Sequence, residues 1–406
     1  MKTILATCYA INPYKGSEDG MGWNFICQIA RYQKVIAITR ANNQPAIDTF
    51  MLENPNPNYQ NISFLYFDRP YWMRFWKKGS RGAMLYYYMW QYGIINFINK
   101  KNLNYDIVHN VNFHNDWTPS FLWKLNKPFV WGPIGHHSKI PNQYLSKYKF
   151  TYKIKEYATW FIKQMFWNVS LNLKTSISKA NHIFCMNSSS SKVLNLPSNI
   201  FSIMPSVATE DFYKDNLINE NFNIISVGRF VPLKGFDLTI NAFNDFVRSI
   251  SKDQLSNCSL TLIGSGPEKA TLEKMVKSYE LTDYVQIIEW IDRVKLMKLY
   301  EKSAIFLFPS HEGAGMVVAE ALSFGLPVVC LDNDGPGELI SNQCGFKIPM
   351  TTYQGTVNGL SNAIQQLYFD NSLRNQMSKA ARAHYLDNLT WDKKGEILQQ
   401  TYQNIC

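Results

Sequence analysis

Short runs rich in apolar and β-branched residues alternate along the whole chain with longer stretches in which apolar positions recur every three or four residues. This pattern predicts strands and amphipathic helices in turn, the signature of parallel α/β sheets. In the first half, strands are expected near residues 3–8, 34–38, 62–67, 107–109, 129–131 and 182–186. In the second half they are expected near 223–227, 259–263, 285–288, 305–308 and 327–330. Four of the five second-half runs are followed by a glycine-bearing turn and a helical pattern, as in a Rossmann-like unit. The polar segment 208–221 reads as a linker. Two α/β domains of similar size follow, with ligands expected at the carboxyl ends of the strands.

Composition narrows the picture. A chain of 406 residues, 46% hydrophobic and 18% charged, is a folded protein with room for two or three domains. Its formal charge of +10 is unevenly spread: residues 1–205 hold 23 Lys and Arg against 8 Asp and Glu, and residues 206–406 hold 18 against 23. Such asymmetry predicts different partners for the two halves, an anionic one for the first. No apolar run approaches the ~20 residues of a membrane span. The opening MKTILATCYAINPYKG lacks a long apolar core and a cleavage site, so it reads as a first buried strand, not a signal peptide. Seven scattered cysteines without a Cys-x-x-Cys pair argue against a disulfide framework or a zinc site and for a reducing cytoplasm. Zinc-finger spacings and RNP-type motifs are missing, which argues against a nucleic-acid partner.

Three strand-to-helix turns carry candidate chemistry. After the run IFLFPS comes HEGAGMVVAE, in which Glu312 and Glu320 bracket a glycine-rich turn and the start of a helix. Backbone N–H groups of residues 314–317 at such a helix start suit a phosphate, and Glu320, about two turns on, suits a ribose hydroxyl pair. A capping turn followed by a surface glutamate is the plainer alternative. After residues 223–227 comes VGRFVPLKG, placing Arg229 and Lys234 on one loop. A forked guanidinium and a compact ammonium can clamp a diphosphate and take over the neutralising role of a metal ion, although single loop cations are more often merely solvated. The third segment, LIGSGP, is a truncated dinucleotide fingerprint that reads mainly as a turn, with Pro267 opening the next helix.

These segments, in this order and with GLPVV behind them, resemble the C-terminal domain of the GT4 family of retaining, nucleotide-sugar-dependent glycosyltransferases. The resemblance implies a GT-B fold, two Rossmann-like α/β domains facing a central cleft, with the final helix crossing back. The domains would be residues 1–207 plus a C-terminal helix 386–406, binding the acceptor, and residues 208–385, binding the donor. Residues 389–402 are amphipathic enough to make the crossing. By the same resemblance, Arg229 and Lys234 match the diphosphate clamp, Glu312 the group at the donor-sugar hydroxyls, and Glu320 the ribose ligand. Ala314, Gly315, Met316 and Val317 match backbone contacts to sugar and phosphate, and Ile291 the contact to the base. The donor is expected to be a UDP- or GDP-sugar, with no metal and no other cofactor.

In the first half, KGSEDGMGW follows the first strand, and the family has a Gly-rich loop here; Gly20 is the candidate for meeting the donor phosphates, with a flexible surface turn as the alternative. On the acceptor side the family places a His where this chain has Val111, so the match is imperfect. His114 takes that role if the loop is shifted. His109, Asp116, His136 and His137 are further candidates for orienting or deprotonating the acceptor, each with a structural alternative.

Aromatic and basic residues interleave over 66–97 and again over 144–167. Aromatics settle at headgroup level and Lys and Arg attract anionic lipid, so the two stretches predict peripheral attachment to the inner face of the cell membrane over a purely core role. The expected function is transfer of a sugar to a hydroxyl of a glycan or a polyprenyl- or lipid-linked acceptor, in bacterial surface polysaccharide or lipopolysaccharide synthesis. The alternatives are a GT-B phosphorylase or sugar-nucleotide epimerase, and a non-catalytic glycan- or phospholipid-binding protein. No pyridoxal-phosphate lysine segment supports the phosphorylase.

Overall fold

The computed structural model describes residues 1–79, 81–111, 113, 115–212 and 221–405. All the expected strands are present, and two short ones join them. In the first unit β1 (Thr3–Thr7), β2 (Lys34–Thr39), β3 (Ile62–Tyr66), β4 (Ile107–Asn110), β5 (Phe129–Ile134), β6 (His182–Cys185) and β7 (Phe201–Ile203) form a parallel sheet in the order β3-β2-β1-β4-β5-β6-β7. In the second, β8 (Phe222–Val227), β9 (Cys258–Ile263), β10 (Val285–Ile288), β11 (Ile305–Phe308), β12 (Val328–Leu331) and β13 (Gly345–Ile348) form a parallel sheet in the order β10-β9-β8-β11-β12-β13. Strand β7 has only three residues and β13 carries Lys347, so neither shows the continuous apolar run of a central strand.

Each sheet reverses its winding once, between β1 and β4 and between β8 and β11. Loops at the carboxyl ends of such a pair splay to opposite faces and leave a crevice, the usual ligand position in open α/β sheets. The second sheet is buried on both faces, which explains its unbroken apolar runs. Ile224, Ile305 and Leu307 pack into one core with the helices Phe236–Val247 and Tyr353–Phe369. Their neighbours Ile225, Phe306 and Phe308 pack into a second core with the helix Met316–Ser323.

The domain boundaries differ from the expected ones in two places. Residues 137–157 belong to the second unit, although the chain enters them from β5 of the first. Ile140, Tyr144, Leu145 and Tyr148 are buried in the second unit's core, and the Tyr144 hydroxyl lies 2.7 Å from Thr356 Oγ1. At the other end, Tyr385 and Leu389 remain in the second unit's core, so the return to the first unit begins at Trp391 and not at 386. The final helix, Trp391–Asn404, docks on the first unit as its amphipathic pattern predicts. Trp391 meets Phe25 edge-on, Gln33 Nε2 donates to Gln399 Oε1 at 2.6 Å, and Lys2 Nζ donates to the Tyr402 carbonyl at 2.7 Å. Of the expected linker, 213–220 lie outside the described residues. Ala208 and Thr209 are buried, and Thr209 pairs with Thr390.

Candidate active site

The loops after β8 and β11, at the reversal of the second sheet, hold the residues with the strongest sequence signal. Beyond Val227 the chain runs through Arg229 into a single helical turn, Pro232–Lys234, closed by Gly235 in the left-handed region (φ 66°). A Cβ at Gly235 would lie 2.1 Å from the Pro309 carbonyl oxygen, so glycine is required both for the turn and for the approach of the β11 loop. The His311 N–H donates to the Leu233 carbonyl at 2.8 Å and locks the two loops together. The LIGSGP turn serves the same end. A Cβ at Gly264 would fall 1.7 Å from the Gly228 carbonyl oxygen, and the Phe230 N–H donates to Ser265 at 2.9 Å. Its glycines thus seat the Arg229 loop.

This docking brings Lys234 to Glu312. Lys234 Nζ lies 2.5 Å from Glu312 Oε2, both side chains about one-seventh exposed, and the ammonium sits 5.1 Å from the Phe308 ring centroid. Arg229, on the same loop, is exposed. Preceding Glu312, His311 is buried, and burial drives its pKa down to about 4, so it is neutral at pH 7.

The helix Met316–Ser323 starts at Gly315, so the first N–H groups of the segment Ala314–Val317 lie at its amino end. Glu320 faces the core and is buried. Its carboxylate takes a 2.9 Å hydrogen bond from Arg293 Nη1 and a longer one from the Tyr300 hydroxyl. Burial pushes its pKa up, opposed by Arg293. Arg293 escaped the sequence reading; the signal available was Asp292, which caps the helix Arg293–Glu301 and aims its first residue. Ile291, just before, packs with Ala314, Met316 and Val317 against one apolar cluster.

The first-half candidates fare differently. Gly20 does not lie in a loop: the helix Ser17–Ala30 already includes it, and its missing Cβ makes room for the Lys15 carbonyl, 2.2 Å from where that atom would be. This close approach accounts for the glycine by packing, and the expected contact with the donor phosphates stays part of the proposal. His109 is buried within β4, with Nε2 2.7 Å from the Gly132 carbonyl and Nδ1 2.6 Å from the Tyr402 hydroxyl. The carbonyl can only accept, so Nε2 carries the proton and Nδ1 accepts from the tyrosine. Burial holds its pKa near 3. With both nitrogens occupied, His109 fastens the final helix to the sheet and is not an acceptor base. Asp116 and His136 form a buried pair, Oδ2 to Nδ1 at 2.8 Å, joining the loops after β4 and β5 beside Trp167. His137 lies in the second unit, where its Nδ1 accepts the Gly313 N–H at 3.0 Å. His114 lies outside the described residues.

Residues 208–384 match the family model described as Glycosyl transferases group 1. The chain is 30% identical over 162 residues to the lipopolysaccharide core biosynthesis glycosyltransferase LpsE of Rhizobium meliloti, covering 40% of this chain and 43% of that one. It is 27% identical over 187 residues to a GDP-mannose-dependent alpha-(1-6)-phosphatidylinositol monomannoside mannosyltransferase of Mycolicibacterium smegmatis, covering 44% and 46%. The chain thus spans less than half the length of these relatives. Across all of both chains it superposes on Anabaena Alr3699/HepE, solved in complex with UDP and glucose, with a TM-score of 0.63 and 15% identity. At that identity the likeness concerns the fold, which is the expected α/β GT-B class.

Proposed function

We propose that this chain, whose residues 208–384 form a Glycosyl transferases group 1 domain, transfers a sugar with retention from a nucleoside diphosphate sugar to a hydroxyl of a glycan or lipid-linked acceptor. The observation that carries this reading is the Lys234–Glu312 pair at the sheet reversal, with Arg229 on the same loop and a helix start two residues beyond Gly313. A diphosphate finds there two cations and the helix N–H groups, so no metal ion is needed to stabilise the leaving group. Glu312, released from Lys234 as the ammonium turns to phosphate, accepts hydrogen bonds from the donor sugar, and Glu320 takes the ribose. In the transfer step the anomeric C–O bond to phosphate breaks while the acceptor oxygen bonds to the same face. The acceptor proton passes to the departing phosphate oxygen, so atoms and charge balance without an enzymic nucleophile. The first unit takes the acceptor.

The named acceptors and pathways of the two relatives support a lipid-linked or lipopolysaccharide glycan and a place in surface polysaccharide synthesis. Attachment to an anionic membrane on its cytoplasmic side agrees with that. Among the described residues no helix is long and apolar enough to cross a membrane. The helix Phe150–Val169, however, exposes Phe150, Ile154, Tyr157, Phe161, Met165 and Val169 at spacings of three and four, with Lys153 and Lys155 beside them. Such a stripe suits the headgroup boundary.

A screen of UDP- and GDP-sugars with calorimetric binding of UDP and GDP tests the reading. One donor should be turned over, and Arg229→Ala should lower that turnover by about a hundredfold. Binding of neither nucleotide would sink it. Sedimentation with phosphatidylglycerol vesicles, reduced in Phe161→Glu and absent with phosphatidylcholine, tests the membrane part.

A further inference from the structure

We infer that His137 is a positioning residue that orients the Glu312 loop, and that residues 137–157 form a strap dedicated to holding this loop. The inference rests on the reading of Glu312 as the donor-sugar ligand. The strap begins where the chain leaves β5 and is anchored in the second unit's core by Ile140, Tyr144, Leu145 and Tyr148. It reaches the Glu312 loop at two points and a neighbouring loop at a third. Tyr144 packs edge-on against the buried His311 ring at 4.9 Å, immediately before Glu312. His137 Nδ1 accepts the Gly313 N–H, immediately after it. Ser138 Oγ donates to Asp334, on the loop after β12, where Asn333 Nδ2 also donates to the Ser310 carbonyl at 2.7 Å.

The contact at Gly313 has the most direct consequence. A peptide N–H can only donate, so His137 presents Nδ1 as a lone pair and carries its proton on Nε2. That hydrogen bond helps fix the peptide plane joining Glu312 to Gly313, beside the bond from the Glu312 N–H to Ser310 Oγ at 3.3 Å on the preceding peptide. Lys234 holds the Glu312 carboxylate, and His137 holds the backbone from which that side chain springs. Two such restraints set the direction of a side chain in a way that either alone does not. Nothing in the spacing of the second half announces this arrangement, since the restraint comes from a residue 176 positions upstream.

The test compares His137→Ala with His137→Asn, whose side-chain oxygen can stand in for the Nδ1 lone pair. Two readouts are taken on the full-length protein. The first is amide hydrogen exchange, without added nucleotide, in a peptide covering 309–317, with one covering 353–369 as the fold control. His137→Ala should speed exchange in the first peptide about tenfold and leave the second unchanged, and His137→Asn should return it to within about twofold of wild type. The second is kinetics with the donor found in the screen: His137→Ala should lower kcat/KM about tenfold, mostly through kcat, and His137→Asn should restore most of it. The inference is overturned if His137→Ala leaves exchange at 309–317 unchanged, or if His137→Asn is as damaged as His137→Ala. Wild-type protein that neither binds UDP or GDP nor turns over a donor, yet shows the exchange pattern, would sink the glycosyltransferase reading and leave the loop restraint standing.

Discussion

Both sheets reverse their winding at a central strand pair, and both place histidines or charged residues at that edge, but the two edges are built differently. In the second unit, Arg229 is exposed, and Lys234 and Glu312 keep a share of their surface in water. In the first, His109 is sealed between the Gly132 carbonyl and the Tyr402 hydroxyl, and Asp116 and His136 are buried against each other. The residue types on the first edge are those of acid–base chemistry, yet their pairing leaves His109 no lone pair or proton to offer. The half with the negative balance holds the cations suited to an anionic ligand. Burial and partners, more than residue type or net charge, separate an open edge from a sealed one.

Substitutions at corresponding places should bring out the contrast. The largest effect is expected for Lys234→Ala, which removes one of the two cations of the proposed diphosphate clamp and leaves Glu312 without its counter-charge. Turnover should fall by about two to three orders of magnitude with little change in melting temperature. His109→Ala should do the reverse, costing about 3 kcal/mol of stability in denaturant unfolding while kcat in the folded protein stays near wild type. A large loss of kcat in a stable His109→Ala protein would erase the distinction.

The pH dependence of stability should also differ in sign. His109 has a folded pKa near 3, below its ordinary 6.5. Its contribution is complete above about 6.5 and is lost as pH falls toward 3, so the first unit should weaken on the acid side. Glu268 in the second unit is raised from its ordinary value to about 7 by burial and by the neighbouring Asp237, with Lys149 opposing. Its contribution is complete below about 4.5 and is lost as pH rises through 7. The smallest predicted effect follows: Glu268→Gln should stabilise the protein by about 1 kcal/mol at pH 8, after allowance for its partial exposure, and by nothing measurable at pH 4.5. Equal melting temperatures of that variant and wild type at pH 8 would remove the alkaline half of the contrast.

Much of this was legible in the chain before folding. Buried parallel strands declare themselves because both of their faces are apolar, so runs such as IFLFPS need no context. The loop motifs were legible for a related reason: Arg229, Lys234, Glu312 and the glycines among them lie within a few residues of a strand end, where local geometry decides their position. The aromatic stretches were legible only in part. Over 66–97, Tyr86, Tyr87 and Trp90 belong to the core while Tyr71, Trp72 and Phe75 stand exposed. Over 144–167, the interleaved stretch resolves into the strap's buried tyrosines followed by a helix with a regular exposed stripe. Composition could not divide these, because aromatic side chains serve core and surface alike.

By itself the sequence determined the α/β class, the two sheets, the loops that carry Arg229, Lys234 and Glu312 and the helix that carries Glu320, since each depends on residues close together along the chain. Only the tertiary structure decided that His109 meets Tyr402, that Arg293 and Tyr300 hold Glu320, and that His137 belongs to the Glu312 loop. Those pairings join residues far apart in the chain, and whether a histidine is a base, a bolt or a strut depends on which groups folding brings to its two nitrogens.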